Sequence, residues 1–337
     1  MNKFYKINNS IEQTKAKLKS HIYYKLALEE IDKLSDYQGE ILEVAKSGHK
    51  HFILDEVEDN LLKYIEEDEN ILIIQSGEYK YNLGMLAVKY KLEKVILKAL
   101  ENPIASTQQD CEGLNIGMHL AYPYKMEDLL MIALDNEVAS LQQDKDGLNM
   151  GMYAADTRLE RATLKALENK HASLQRCKHM GKNIGMYAAA SKMETAVLKA
   201  LDNHDASLQR DKIFKGNLGM FCAMEGLEDA TIKALQNYEA AVMQDENGWN
   251  IGMHAIEEGL MKAGSLALEN DVAREQKSKN GKSMRSLCLD KGDQKLFVKS
   301  LTLSANKDNE SCEQEIGTQS TDENIDSTDV VETEASL

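Results

Sequence analysis

The stretch "NMGMYAADTRLERATLKALEN", residues 149–169, places a glycine between two methionines at the start of a short apolar helix. Glycine costs a helix interior about 0.5–1 kcal/mol relative to alanine, so its use here needs a reason. The same pattern recurs every 33 or 34 residues, as "NLGMLAV" at Asn82, "NIGMHLA" at Asn115, "NMGMYAA" at Asn149, "NIGMYAA" at Asn183, "NLGMFCA" at Asn217, "NIGMHAI" at Asn250 and a decayed "SMRSLCL" at Ser283. Such fixed self-similarity is typical of stacked repeats.

Each unit predicts two helices. Its Asn is a suitable N-cap for a short apolar helix, and a polar turn then leads to a longer helix such as "RLERATLKALEN". In that helix Leu159, Ala162, Ala166 and Leu167 form one apolar stripe at helical spacing. We expect the repeated glycines to let neighbouring units approach closely, with the adjacent methionine filling the gap. These glycines are Gly84, Gly117, Gly151, Gly185, Gly219 and Gly252.

Composition favours an all-α fold for the 337-residue chain. Only two prolines and 6% aromatic residues are present, while 42% of residues are hydrophobic and 28% are charged. The five cysteines are widely spaced and form no C-x-x-C pair, which predicts a reduced, cytoplasmic protein without a disulfide framework. The first 24 residues lack the apolar core of a secretory signal, and no run of about 18 apolar residues occurs.

The ends of the chain differ from its middle. Residues 303–337 contain ten Asp or Glu against Lys307 alone, in a chain of net charge −16, and have no aromatic residue. We expect them to form a disordered acidic tail. Residues 1–48 predict a helical N-terminal cap with one long helix and a shorter one in "YQGEILEVAKSG". Residues 49–81 read as a worn first repeat, so the repeats span 49–302 with units starting near 49, 82, 115, 149, 183, 217, 250 and 283.

A helix pair and a glycine turn in each 33-residue unit resemble the ankyrin repeat. The stretch "VASLQQDKDGLNMGMYAA", residues 138–155, is similar to the ankyrin hairpin D-x-x-G followed by Thr-Pro-Leu-His-x-Ala-Ala. It departs from that pattern in three ways, with Asn for Thr, Met-Gly for Pro-Leu and Met for His. The resemblance covers roughly residues 70 to 300 and implies an all-α solenoid of helix-turn-helix units joined by hairpin-type loops.

The resemblance implies a protein-protein interaction module that binds through hairpin tips and a concave face. Outer tips such as "QDCEG" and "QDENG" are acidic, whereas "RCKHMGK" (176–182) and "RDKIFKG" (210–216) are basic. A basic rim around an apolar anchor is a common interface design, so we expect a protein partner with an acidic patch. The predicted partner-binding residues are Arg176, Lys178, His179, Lys182, Arg210, Lys212, Ile213, Phe214 and Lys215.

No catalytic, cofactor-binding or metal-binding motif is recognisable, which favours a non-catalytic protein. The pairs His49/His51 and Cys177/His179 each lack a third metal ligand nearby in sequence. Cys177 is expected to be an exposed, unreactive thiol, although its basic loop is of a kind that lowers thiol pKa. His119 and His254 share a position with tyrosines and are expected to be half-buried packing residues.

Three alternatives stay open at this point. An enzyme with an unrecognised active site in the N-terminal helical region is one, and a basic-tip binder of phosphoinositide or nucleic acid is another, disfavoured by the net charge of −16. The acidic tail 303–337 is also suited to contact the basic tips within one molecule. Finally, "TDENIDSTDVVETEASL" resembles the translocation signals of effectors of intracellular bacterial pathogens, which implies type IV secretion into the host cell cytoplasm and a role in virulence.

Overall fold

The structure is a computed structural model that describes residues 2–36 and 50–303, with side chains at 13–34 and 54–303. Within those ranges all regular secondary structure is helical, and the only β-type pairing is an isolated bridge between Ser76 and Tyr81. The all-α prediction is therefore confirmed. The predicted shorter helix of the cap and the acidic tail beyond Leu303 lie outside the described residues.

The first helix of each unit begins directly after the repeated Asn, or after Ser283 in the last unit. In all six Asn-started units the Asn Oδ1 accepts the backbone N–H three residues later, which confirms the predicted N-cap. These first helices span Leu83–Tyr90, Ile116–Ala121, Met150–Asp156, Ile184–Ala190, Leu218–Met224, Ile251–Glu257 and Met284–Asp290.

The second helix of each unit carries the apolar stripe expected from the sequence. Leu159, Ala162 and Leu167 are buried, whereas Arg161 is exposed. Lys165 is half-buried, because its Nζ donates to the carbonyl of Met131 in the preceding unit at 2.7 Å. The second helices span Glu93–Glu101, Glu127–Ala133, Glu160–Glu168, Glu194–Ala200, Glu228–Leu235, Met261–Ala267 and residues 294–303.

A short third helix follows the second one and was not expected from the sequence. It forms in the "NxxASLQ" stretch, where a second Asn caps the helix through the N–H of the Ala. The third helices span the 3₁₀ turn Ala105–Thr107 and then Glu137–Leu141, Lys170–Leu174, His204–Leu208, Tyr238–Val242 and Asp271–Glu275. The six units from Asn82 to Asn250 therefore contribute three helices each, counting the 3₁₀ turn Ala105–Thr107.

Successive units pack like against like, so first, second and third helices form three rows. The repeated glycines lie where two units meet. A Cβ on Gly151 would lie 2.7 Å from Cβ of Ala166 in the same unit and 2.5 Å from Cδ1 of Ile184 in the next unit. The predicted close approach is confirmed: the atoms nearest to a Cβ on each repeated glycine belong to an Ala of the second helix and to the first residue of the next first helix.

The N-terminal end consists of a 35-residue helix, Asn2–Asp36, a second helix, Lys50–Glu67, and a 3₁₀ turn, Glu69–Ile73. Helix Lys50–Glu67 packs on the long helix and on Glu93–Glu101, so it continues the row of second helices. The Tyr24 hydroxyl of the long helix lies 2.8 Å from the Ser76 hydroxyl, which fixes the long helix beside the first loop. This segment has no Asn-capped first helix before Asn82 among the described residues.

Candidate partner-binding surface

The loop before each repeated Asn ends in a tight tip closed by a backbone hydrogen bond. Most tips close over four residues, as from the N–H of Asp144 to the carbonyl of Leu148 at 2.9 Å. Three tips close over five residues, from Ser76 to Tyr81 at 3.2 Å, from Cys177 to Lys182 at 2.9 Å and from Asp211 to Gly216 at 3.0 Å. We call residues 176–182 and 210–216 the central tips. They lie side by side, since the N–H of Lys212 bonds the carbonyl of Met180.

The extra residue exposes apolar side chains on the central tips. Met180 is 43% exposed, Ile213 48% and Phe214 41%. In the four-residue tips the exposed side chains are polar instead, namely those of Glu112, Lys145, Asp146, Glu246, Asn247, Lys279, Asn280 and Lys282. Of the six tips that lie between Asp110 and Lys282, only the central tips therefore offer large apolar side chains to a partner.

The charge of the central tips is strongly positive at the surface. They contain six Lys or Arg and one carboxylate, that of Asp211. Asp211 is 1% exposed, and it accepts the backbone N–H groups of Ile213, Phe214 and Gly216 at 2.8–3.0 Å. Its carboxylate therefore shapes the tip from inside, and the outer surface keeps the cations around an apolar centre.

Arg176 and Arg210 hold neighbouring tips together. Nε of Arg176 donates to the carbonyl of Gly181 at 2.8 Å, and Nη2 of Arg176 donates to the carbonyl of Arg210 in the next tip. In the unit before, Gln143 makes the equivalent pair of bonds with Gly147 and Arg176. The sequence interpretation treated both arginines as partner-binding residues, and the structure gives their guanidinium groups this bridging position as well.

Three lysines of the central tips are exposed. Nζ of Lys178 donates to the carbonyl of Lys145 at 2.7 Å, and Nζ of Lys212 donates to the carbonyl of Lys178 at 2.5 Å. An ammonium group has three donors, so each keeps two for a ligand. Among the residues that the structure describes, Lys215 has no side-chain hydrogen bond or ion pair. These lysines surround Ile213 and Phe214 with positive charge.

Two predicted residues occupy less central places. The His179 side chain is 80% exposed and its Nε2 lies 3.1 Å from Oδ1 of Asp146. Lys182 is half-buried, with its Nζ 5.0 Å from the ring centroid of Phe221, a cation–π contact that directs it to the stack. Met180 was not predicted from the sequence, and its place before the turn glycine Gly181 is the signal that could have found it.

His119 and His254 are half-buried, as expected, and each bonds a buried Asp at the base of its tip. Nε2 of His119 lies 3.0 Å from Asp110, and Nε2 of His254 lies 3.0 Å from Asp245. Burial raises the pKa of Asp110, but the hydrogen bonds from His119 and from backbone N–H groups outweigh this effect and leave that pKa below its usual range. Burial lowers the pKa of His254 despite its bond to Asp245. Each histidine therefore has a hydrogen-bond partner, the Asp at the base of its tip.

Cys177 takes the place of that Asp in its own tip. The thiol is 3% exposed, so the expectation of an exposed thiol was wrong. The reason is that Cys177 belongs to the main hydrophobic core, against which Tyr187 of the first helix packs. Burial, together with a hydrogen bond to Cys177, raises the pKa of Tyr187. Trp249 has its ring centroid 5.2 Å from that of His254 and packs on the core.

In the described ranges no three His, Cys, Asp or Glu side chains come together in a way that would hold a metal ion. No helix there has both the length and the apolar character to cross a bilayer. In comparisons with known proteins, no family model matches the chain and no curated protein shows significant similarity to it.

Proposed function

We propose that the chain is a non-catalytic protein-interaction module of the ankyrin-like solenoid type that binds an acidic protein partner through the central tips. The ankyrin-like part of the proposal is supported by the repeat period, by the glycine turns and by the rows that the first and second helices form. The chain shares with the ankyrin family a unit of about 33 residues that contains two helices, here the first and the second, and a tip loop.

One observation carries the binding proposal. Two adjacent tips are each one residue longer than the four-residue tips, and they expose Met180, Ile213 and Phe214 inside a ring of lysines. Apolar anchors within a polar rim carry most of the binding energy in protein interfaces. Stacking of the units does not require a longer, apolar tip, because the shorter tips make the same backbone hydrogen bond to the tip of the neighbouring unit.

The partner's chemistry follows from the surface. The exposed lysines Lys178, Lys212 and Lys215 favour a carboxylate-rich segment, and Phe214 and Ile213 favour an apolar side chain beside it. Such charge complementarity raises the association rate and selects the partner, while the apolar contacts slow dissociation. An acidic protein surface or peptide with an embedded aliphatic or aromatic residue satisfies both requirements.

Affinity capture from a eukaryotic cell lysate tests this proposal. The native chain is compared with a variant that carries Lys178→Glu, Lys212→Glu and Lys215→Glu. Arg176 and Arg210 are left intact because they hold the tips together. We expect the native chain to retain a protein that the variant loses.

A matched variant controls for charge alone. Lys199, Lys262 and Lys295 are exposed on second helices and have no side-chain hydrogen bond among the described residues, so changing all three to Glu alters the net charge equally. This control should retain the partner. Equal loss in both variants would contradict the proposed surface. Retention of nucleic acid or phosphoinositide vesicles in place of protein, with steep salt dependence, would favour the alternative basic-tip binder.

We also propose that the chain is an effector delivered into a host cell by type IV secretion. Support comes from the acidic, Ser/Thr-rich composition of residues 321–337, which lie outside the described residues. A reporter fused to residues 303–337 in bacteria with an active type IV system should reach host cytoplasm. Delivery that is unchanged when the acidic residues are neutralised would contradict this role.

A further inference from the structure

The chain contains a segment that has the chemistry expected of the partner. Residues 322–334, "DENIDSTDVVETE", contain six Asp or Glu and no Lys or Arg. Three aliphatic residues, Ile325, Val330 and Val331, lie among these acids. We call residues 322–334 the tail segment. Its alternation of carboxylates and aliphatic groups complements the lysines and the apolar side chains of the central tips.

We propose that the tail segment docks on the central tips of its own molecule and competes there with an external acidic partner. This inference rests on the proposed function, because it assigns a regulatory occupant to the same surface. The carboxylates would pair with Lys178, Lys212 and Lys215, and the aliphatic side chains would cover Ile213 and Phe214. The occupied state hides the binding surface until a tighter ligand displaces the tail.

The contacts of the central tips leave room for this ligand. Asp211 is the only carboxylate in the central tips, and its oxygens accept three backbone N–H groups from within the tip. Lys178 and Lys212 each use one donor on a backbone carbonyl. The cations are therefore not neutralised by an acid of their own tips, and a carboxylate-rich segment gains their attraction without breaking an ion pair there.

The length of the chain permits the contact. The described residues reach Leu303, in the last helix of the unit that begins at Ser283, and the tip 210–216 comes two units earlier. Packed helices lie about 10 Å apart, so two units correspond to about 20 Å along the stack. The intervening residues 304–321 number 18, and an unstructured chain of that length spans about 21–25 Å on average. A tether that matches the span gives an effective concentration of about 1 mM or more.

Zero-length crosslinking of the full chain tests the proposal. A carbodiimide joins a carboxylate to a lysine in direct contact, and mass spectrometry identifies the joined residues. We expect the tail segment to couple to Lys178, Lys212 and Lys215 at least fivefold more than to the exposed control lysines Lys199, Lys262 and Lys295. High salt should reduce this difference because the surface attraction is screened.

An apolar substitution keeps every reactive group and tests specific docking. Phe214→Ala should lower the crosslinks from the tail segment to the tip lysines at least threefold. Tyr238→Ala removes an aromatic ring that is 59% exposed elsewhere, and it should leave these crosslinks unchanged. Crosslinks that are spread evenly over tip and control lysines, or that do not respond to Phe214→Ala, would overturn the docking proposal.

Two further readouts separate the remaining outcomes. Mixing isotopically labelled and unlabelled chains shows whether the crosslinked segments belong to one molecule, and a majority of mixed pairs would overturn the intramolecular proposal in favour of a second copy. Capture then tests the external partner. If capture depends on the tip lysines but the tail does not crosslink to them, the inference fails and the proposed function stands. If the tail crosslinks but capture never depends on the tips, the proposed function fails.

Discussion

Replacement of Asn149 by alanine probes the network that ties each unit to its neighbours. The Asn149 side chain is fully buried, and its Oδ1 accepts the N–H of Met152 at 2.9 Å. Its Nδ2 donates to the carbonyl of Ala172 at 3.0 Å and to Oε1 of Gln175 at 2.7 Å. Gln175 in turn donates to the carbonyl of Leu141 in the preceding unit at 2.6 Å. One side chain thus fixes a first helix, a third helix and the adjacent unit.

The magnitude follows from these bonds. Loss of an N-cap costs about 1 kcal/mol, and leaving buried polar partners unsatisfied adds about 1–3 kcal/mol. We expect Asn149→Ala to lower the free energy of unfolding by about 3 kcal/mol. The chain supplies a matched control at Asn217, whose Nδ2 faces the Sδ of Met243 at 3.5 Å instead of a Gln. Thioether sulfur is a weak acceptor, so Asn217→Ala should cost about 1 kcal/mol less.

Urea unfolding of the full chain, followed by far-UV circular dichroism, measures both effects. The midpoint gives the change in stability, and the slope shows whether the units still unfold together. Equal losses in the Asn149 and Asn217 variants would refute the role of the Gln acceptor. A loss below about 0.5 kcal/mol in both would refute the network itself.

Three further predictions follow from single residues. Gly151→Ala should destabilise by about 1–3 kcal/mol in urea unfolding, because its Cβ would lie 2.7 Å from that of Ala166; an unchanged midpoint would contradict the packing account. Arg158 has φ 64°, a backbone conformation that is strained for any residue with a Cβ. Arg158→Gly should therefore raise the free energy of unfolding by up to about 1 kcal/mol and raise the melting temperature with it. A lower melting temperature would contradict the claim that Arg158 is strained. Burial lowers the pKa of His254, so its protonation opposes folding and stability should fall as pH drops below about 6.5. His254→Tyr should weaken that fall in a melting series from pH 7.5 to 5.5, and an unaltered slope would contradict it.

Much of the fold could be predicted from the sequence because the same residue pattern recurs in each unit. The period, the Asn caps and the need for glycine are all local properties, and the structure confirms the caps and the close approach at Gly151. The third helices were missed because five residues are too few to show helical periodicity. The Gln175 bridge was missed because Gln175 and Leu141, which are 34 residues apart, meet only when the units stack.

The candidate surface was predicted less completely for the same reason. Charge and composition identified the basic tips, but they could not separate Arg176, which bridges to the next tip, from Lys215, which has no such bond among the described residues. Exposure of Met180 depends on the added residue in its tip, and burial of Cys177 depends on a tyrosine one helix away. The exposure of Met180 and the burial of Cys177 are thus determined by neighbours in space, which residue type alone does not reveal.

The central claim is that the longer central tips are a binding surface, and an exchange of tips tests it most directly. In the full chain, residues 177–182 are replaced by "DKDGL", the tip 144–148, and residues 211–216 by "DENGW", the tip 245–249. Both replacements come from the chain's own stack and close with the same backbone hydrogen bond. We predict an unchanged circular dichroism spectrum and at least tenfold weaker retention of the captured partner. Full retention of the partner by a folded exchange variant would contradict the account.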